Sequence, residues 1–151
     1  MHAAQTQDLE LMAFSHLGDE RPPIRATWPV HRGTGAASTA AVYVELEPGQ
    51  QLGRHTDSAE ELLVILEGEV EVVVGDERGR LRAGGLAIVP ALEVHDVIAV
   101  GDRPALVVGA FGANTIVSEF QDGFEPTGVR VVGTPPPVEA PVEAAASGRG
   151  R

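Results

Sequence analysis

Apolar residues along this chain fall in short runs of strand length, and most of the runs are closed by glycine or proline. Ala41-Val-Tyr-Val-Glu-Leu46 brings together β-branched and aromatic residues, and Pro48-Gly49 makes the turn that ends it. A strand around His55 and Asp57 follows, then Glu61 to Leu66, then Glu69-Val-Glu-Val-Val-Val74. The stretch Gly75-Asp-Glu-Arg-Gly79 reads as the loop of a hairpin. Further runs cover Leu86 to Val89, His95 to Val100 and Ala105 to Phe111. Many short strands with regular turn signals, and no long pattern of helical period, predict an all-β sandwich or barrel.

The two ends are patterned differently. Residues 1–40 are interrupted by Pro22-Pro23, Pro29, Gly33 and Gly35, which predicts an irregular lead-in that packs on the barrel or on a partner subunit. Residues 41–132 then form the barrel with a C-terminal extension. Within the extension, Asn114 to Val132 has no clear period, and Phe120 and Phe124 are placed either over the barrel mouth or along a dimer edge. From Gly133 onward proline, alanine and glycine dominate, so residues 133–151 are expected to be a disordered tail.

Composition narrows the setting. A chain of 151 residues can bury one sizeable core. A formal net charge of −11 argues against nucleic acid, because little here could replace the counterions of a phosphate backbone. All 11 basic residues are arginine and there is no cysteine, which excludes a lysine Schiff base, a thiolate nucleophile, disulfides and thiolate-bound zinc. Oxygen and nitrogen donors remain. Met1 to Met12 has neither a basic nor an apolar leader region, and no apolar run approaches the ~18–20 residues of a bilayer span. No membrane contact is expected, and a cytoplasmic, soluble protein is.

Those donors cluster. His55 and Asp57 are two apart, so on a strand they project from one face. Glu61 would follow a tight turn at Ser58-Ala59 and open the next strand, facing back toward that pair. If Glu61, Leu63 and Ile65 share a face, Glu61 enters an apolar interior where an unpaired carboxylate is costly and a cation relieves the cost. The alternative leaves Glu61 in water at the strand end beside Glu60. His95, after a glycine-led strand that ends at Pro90, is the distant further donor, or else a partly buried histidine bonded to a backbone carbonyl.

The segments Gly49-x5-His55-x-Asp57-x3-Glu61-x6-Gly68 and Gly84-x5-Pro90-x4-His95 resemble the paired motifs of the cupin superfamily, G-x5-H-x-H-x(3,4)-E-x6-G and G-x5-P-x-G-x2-H-x3-N. The resemblance covers roughly residues 40 to 111. Asp57 stands where the family has its second histidine, Leu92 where it has glycine and Ala99 where it has asparagine. It implies a double-stranded β-helix of the jelly-roll kind. It also implies a divalent ion (Fe, Mn, Ni or Zn) on His55, Asp57, Glu61 and His95, a small organic ligand, and a homodimer as in many relatives.

Three arrangements of Asp57 stay open: all four residues as ligands; His55, Asp57 and His95 as a two-His, one-carboxylate face with Glu61 behind it; or Asp57 turned to solvent or to Arg54. The activity implied is that of a metal-dependent enzyme, a dioxygenase before an isomerase or decarboxylase. A non-catalytic binding or sensing module and a metal-free structural barrel are the alternatives. Tyr43 and His31 are further candidates for the cavity, each against a packing or surface role. Trp28 reads as a packing anchor, and Arg82 and Arg103 as solvated loop charges. Gly84-Gly85 lacks the Lys-Ser/Thr of a phosphate loop.

Overall fold

Alternation of buried and outward-facing residues runs through the strands, as in Ala105–Phe111, where every second side chain is buried. The protein, seen in a computed structural model that describes residues 1–136, folds its strands into two layers. In chain order they are β1 (Met12–Phe14), β2 (Ile24–Val30), β3 (Ala40–Leu46), β4 (His55–Asp57), β5 (Glu61–Glu67) and β6 (Glu69–Val74). β7 (Glu77–Arg82), β8 (Leu86–Val89), β9 (His95–Ala99), β10 (Ala105–Phe111), β11 (Val117–Phe124) and β12 (Val129–Gly133) follow.

One six-stranded sheet has the order β1-β2-β3-β10-β5-β8 and the other β12-β11-β4-β9-β6-β7, with antiparallel pairing throughout. This is the jelly-roll arrangement that the motif resemblance implies, within the all-β sandwich or barrel that the strand pattern predicts. Val44, Leu46, Leu63, Ile65 and Val107 from the first sheet meet Val70, Val72, Val97 and Ala99 from the second in one core. Valine and leucine supply most of that interior, as a chain with 4% aromatic residues requires. No helix among the described residues is long and apolar enough to cross a membrane.

Three segments differ from the sequence expectation. The lead-in is not irregular throughout: β2 pairs with β3 and carries β1 on its far side, so both extend the first sheet. Pro29 had read as a break. It sits where the β2–β3 register shifts between Thr27 and Val30, the kind of bulge at which a strand tolerates a residue without an N–H. The five-residue loop expected at Gly75–Gly79 is a turn at Gly75-Asp76, with Val74 already opposite Glu77 and β7 continuing to Arg82. The sequence Glu-Arg-Gly-Arg-Leu-Arg has no apolar alternation because β7 is an exposed edge, tied by its backbone ladder and by Arg78–Glu71 at 2.7 Å. Finally, β12 runs through Gly133, and Thr134 N–H donates to the Ile116 carbonyl at 3.0 Å. Residues 137–151, the bulk of the expected tail, lie outside the described residues.

Candidate metal centre

β4 is only three residues long, yet it fixes the chemistry of one end of the barrel. Its alternation turns His55 and Asp57 inward and Thr56 outward. His55 lies directly opposite His95 of β9, with ring centroids 4.1 Å apart, and Asp57 lies opposite Ser118 of β11. Glu61 opens β5 in the other sheet and reaches the same point from across the barrel. The structure thus brings together all four residues expected there. His55, Asp57 and His95 each offer one donor atom within 4.8 Å of the others, and Glu61 Oε2 lies 3.2 Å from His95 Nε2.

Backbone carbonyls set the direction of both rings. The Gly53 carbonyl accepts from His55 Nδ1 at 2.7 Å and the Glu93 carbonyl accepts from His95 Nδ1 at 3.0 Å, which leaves each Nε2 facing the interior. His95 Nε2 is 3.1 Å from Asp57 Oδ2, and His55 Nε2 is 3.6 Å from the same oxygen. Ser118 Oγ donates to Asp57 Oδ1 at 2.5 Å and so locks the carboxylate with Oδ2 toward the histidines. Asp57 is 4% exposed, so it turns neither to solvent nor to Arg54.

The centre is electrostatically incomplete as a protein-only cluster. Asp57 Oδ2, Glu61 Oε2 and His95 Nε2 are buried without a hydrogen-bond partner. Each such group costs roughly 1–3 kcal/mol when left unpaired. Burial opposes ionisation of Asp57, but contacts with His55, His95 and Ser118 outweigh it and hold the carboxyl well below its usual range. Burial pushes Glu61 up, by more than its contact with His95 lowers it, and the Asp57 charge adds to the rise. Burial also disfavours a charged His95, yet Asp57, Glu61 and the Glu93 carbonyl push it up to about 10.

A divalent cation fits this donor set. Two neutral imidazole nitrogens and one or two carboxylates suit the first-row metals, and the inward oxygens and nitrogen that lack partners are the atoms such an ion would satisfy. The contacts of 3.1 and 3.2 Å also match the separation of about 3.0–3.4 Å between neighbouring ligand atoms around an ion held at ~2.1 Å, and His55 Nε2 stands slightly farther off, 3.6 Å from Asp57 Oδ2.

Residues that sequence reasoning passed over support the ligands. Asp96 is buried beside His95, and its Oδ1 accepts from Gly53 N–H at 2.9 Å and from Val97 N–H at 2.8 Å. Gly53 is the residue whose carbonyl orients His55, so Asp96 holds that ring at one remove. Gly53 has φ +108, and a Cβ there would lie 2.6 Å from His16 Nε2. Gly109 on β10 makes room for the Glu61 carboxylate, since a Cβ at that position would overlap Glu61 Oε1. An aspartate next to the second motif histidine was visible in the sequence, but nothing in its spacing distinguished it from a surface acid.

Above the centre lies a cavity of about 520 Å³. Phe120 stacks on the His55 ring with centroids 4.4 Å apart and forms an edge-on pair with Phe124 at 4.8 Å. Both phenylalanines therefore line the barrel interior rather than a dimer edge. Trp28 lines the same cavity beside Phe111 at 5.8 Å, and so does more than anchor the lead-in. Tyr43 points to the outer face of its sheet, where its hydroxyl donates to Glu45 at 3.0 Å. His31 caps the 3-10 turn Arg32–Thr34 by accepting from Gly33 N–H and takes no part in the centre. Arg82 and Arg103 are exposed.

Comparison with known proteins agrees with this geometry. Residues 42–111 match the family model described as "Cupin domain". In structure the chain is similar to the oxalate decarboxylase from Lactobacillus farciminis in its formate complex (19% identity, TM-score 0.66), covering 76% of this chain and 34% of that one. It is also similar to KdgF from Halomonas sp. (20% identity, TM-score 0.58), covering 72% of this chain and 92% of that one. An oxalate oxidase matches at 21% identity and a TM-score of 0.56 over 62% of this chain and 53% of that one. The chain thus spans about a third of the decarboxylase and about half of the oxidase. At these identities the likeness is one of fold. No curated protein matches the chain in sequence. With both motifs on adjoining inner strands, a jelly-roll topology and the family model over residues 42–111, that stretch of the chain is a cupin domain in sequence pattern and in fold.

Proposed function

We propose that this cupin is a divalent-metal protein acting on a small organic molecule, with O2-dependent oxidation of the dioxygenase type as its chemistry. One observation carries the reading: three buried polar atoms without partners, on Asp57, Glu61 and His95, converge beside an apolar cavity. His55, Asp57 and His95 would hold the ion as the two-His, one-carboxylate face used by non-haem Fe(II) oxygenases, leaving room for substrate and O2. When bound, the ion supplies Lewis-acid polarisation and, if redox-active, electron transfer.

The chain's own residues do the rest. The Gly53 and Glu93 carbonyls keep both imidazoles in the tautomer that presents Nε2, and Ser118 fixes the bite of Asp57. Glu61 Oε2 accepts no hydrogen bond and its pKa is pushed up by burial, so it is suited either to serve as a fourth ligand or to take the proton of a substrate hydroxyl. The phenylalanine and valine walls make the cavity apolar, which strengthens charge interactions at the floor.

A second reading, a binding or sensing module without turnover, is favoured by a different observation. Among the described residues, the only titratable side chains that line the cavity are His55, Asp57 and Glu61. Oxygen uptake separates the two. Protein loaded anaerobically with Fe(II), Mn(II), Ni(II) or Zn(II) is mixed with a panel of small oxygenated aromatics and aliphatics and then exposed to O2. The dioxygenase reading predicts uptake above the metal-only control with Fe(II) and a matching oxygenated product. Tight ligand binding with no uptake for any metal would replace it with the binding-module reading.

A further inference from the structure

The cavity walls carry an asymmetry that bears on what enters. Trp28 and Phe111 form one aromatic pair, and Phe120 lies face to face with His55 while meeting Phe124 edge-on. Among the described lining residues every acidic group belongs to the metal centre, and no arginine lines the cavity. The neutral polar side chains of the lining are Thr27 and Ser118, and the Ser118 hydroxyl is already committed to Asp57.

Charge counting then selects the ligand. With Asp57 and Glu61 both ionised, a divalent ion is neutralised by the protein itself. A small dianion would bring two uncompensated negative charges into a space with no cationic side chain to receive them. A neutral or singly ionised oxygen donor brings no such excess, and an aromatic body behind it would be matched by aromatic walls in offset or edge-on packing.

We infer that the ligand is a largely apolar aromatic molecule with one or two adjacent oxygen donors directed at the metal, and not a small dicarboxylate. The inference deepens the proposed function and rests on the metal reading above.

Trp28 makes the test direct, because it lines the cavity and is the only tryptophan of the chain. The metal-loaded protein is titrated with 4-nitrocatechol, which absorbs where tryptophan emits, and with oxalate, using Trp28 fluorescence and calorimetry, with metal content measured on the same samples. We expect 4-nitrocatechol to quench Trp28 and to bind at least about tenfold more tightly than oxalate. In an Ala26→Phe variant, which fills the cavity from β2, its affinity falls about tenfold or more while metal content and oxalate affinity hold. If that variant does not fold, the comparison in the wild-type protein decides alone. Loaded protein that binds oxalate as tightly as 4-nitrocatechol overturns this inference and leaves the metal reading intact. Protein that takes up no metal overturns both.

Discussion

Gly109 is the residue on which the placement of the Glu61 carboxylate depends. It faces Leu63 and Val42 on the neighbouring strands, and the missing side chain is the space that the Glu61 carboxylate fills. A Gly109→Ala variant should therefore displace Glu61 while leaving His55, Asp57 and His95 in place. The expected result is metal affinity reduced by about 10–100-fold in a protein whose circular dichroism is unchanged. Wild-type affinity in that variant would remove Glu61 from the ligand set.

His95 makes a second prediction at the same scale. Its folded pKa is raised to about 10 from an ordinary 6.5. Its contribution to stability is thus full below about 6.5 and is lost as the pH climbs through about 10. The raised pKa of Glu61 acts in the same direction at lower pH, since a protonated form favoured by folding loses its advantage as the pH rises. The thermal midpoint of metal-free protein should fall between pH 6.5 and 10. In metal-loaded protein, with Nε2 engaged and unprotonated, the fall should disappear. Parallel profiles for the two forms would contradict the placement of His95 in the ligand set.

Among the elements, the turn between β8 and β9 is the strained one. Leu92 has φ +64, is 71% exposed, and donates its N–H to the Asp57 carbonyl at 2.9 Å. It stands where the cupin motif has glycine, and the backbone keeps the left-handed conformation that glycine would adopt freely. Relief of about 1–2 kcal/mol of left-handed strain, less about 0.5–1 for the greater freedom of glycine in the unfolded chain, predicts that Leu92→Gly stabilises the protein. A rise of roughly 2–4 °C in the melting temperature is expected. A fall would mean that the Leu92 side chain makes a contact worth more than the strain.

The legibility of the other elements follows the same physics. β3, β5, β6 and β10 were readable because one face is buried, which writes alternation and β-branched residues into the sequence. β7 and β12 lie at sheet edges with mostly exposed side chains, so backbone pairing holds them and composition carries little trace. β2 was hidden by Pro29, whose bulge can be seen only once β3 is in place. At the site, His55, Asp57, Glu61 and His95 were visible because the motif spacing ties each to a strand. Ser118, Asp96 and Gly109 act across strands far apart in sequence, where no local pattern points to them.

For the molecule as a whole, the two sheets and the centre form one design. Histidines and aspartate come from the second sheet and Glu61 from the first, so the cluster closes only when the layers pack. An ion bound there would couple metal affinity to folding. The net charge of −11 favours cation approach and opposes anions at long range. It also agrees with a cavity whose acidic side chains surround the metal site alone. The centre thus stands or falls on whether it holds a metal.

Elemental mass spectrometry on tag-free protein, beside a His55→Ala/His95→Ala double variant, measures that most directly. The account predicts about one equivalent of a divalent first-row metal in the wild-type protein and its loss in a variant that remains folded by circular dichroism. Wild-type protein that stays metal-free after reconstitution with Fe(II), Mn(II), Ni(II) and Zn(II), or a variant that keeps its metal, would contradict it.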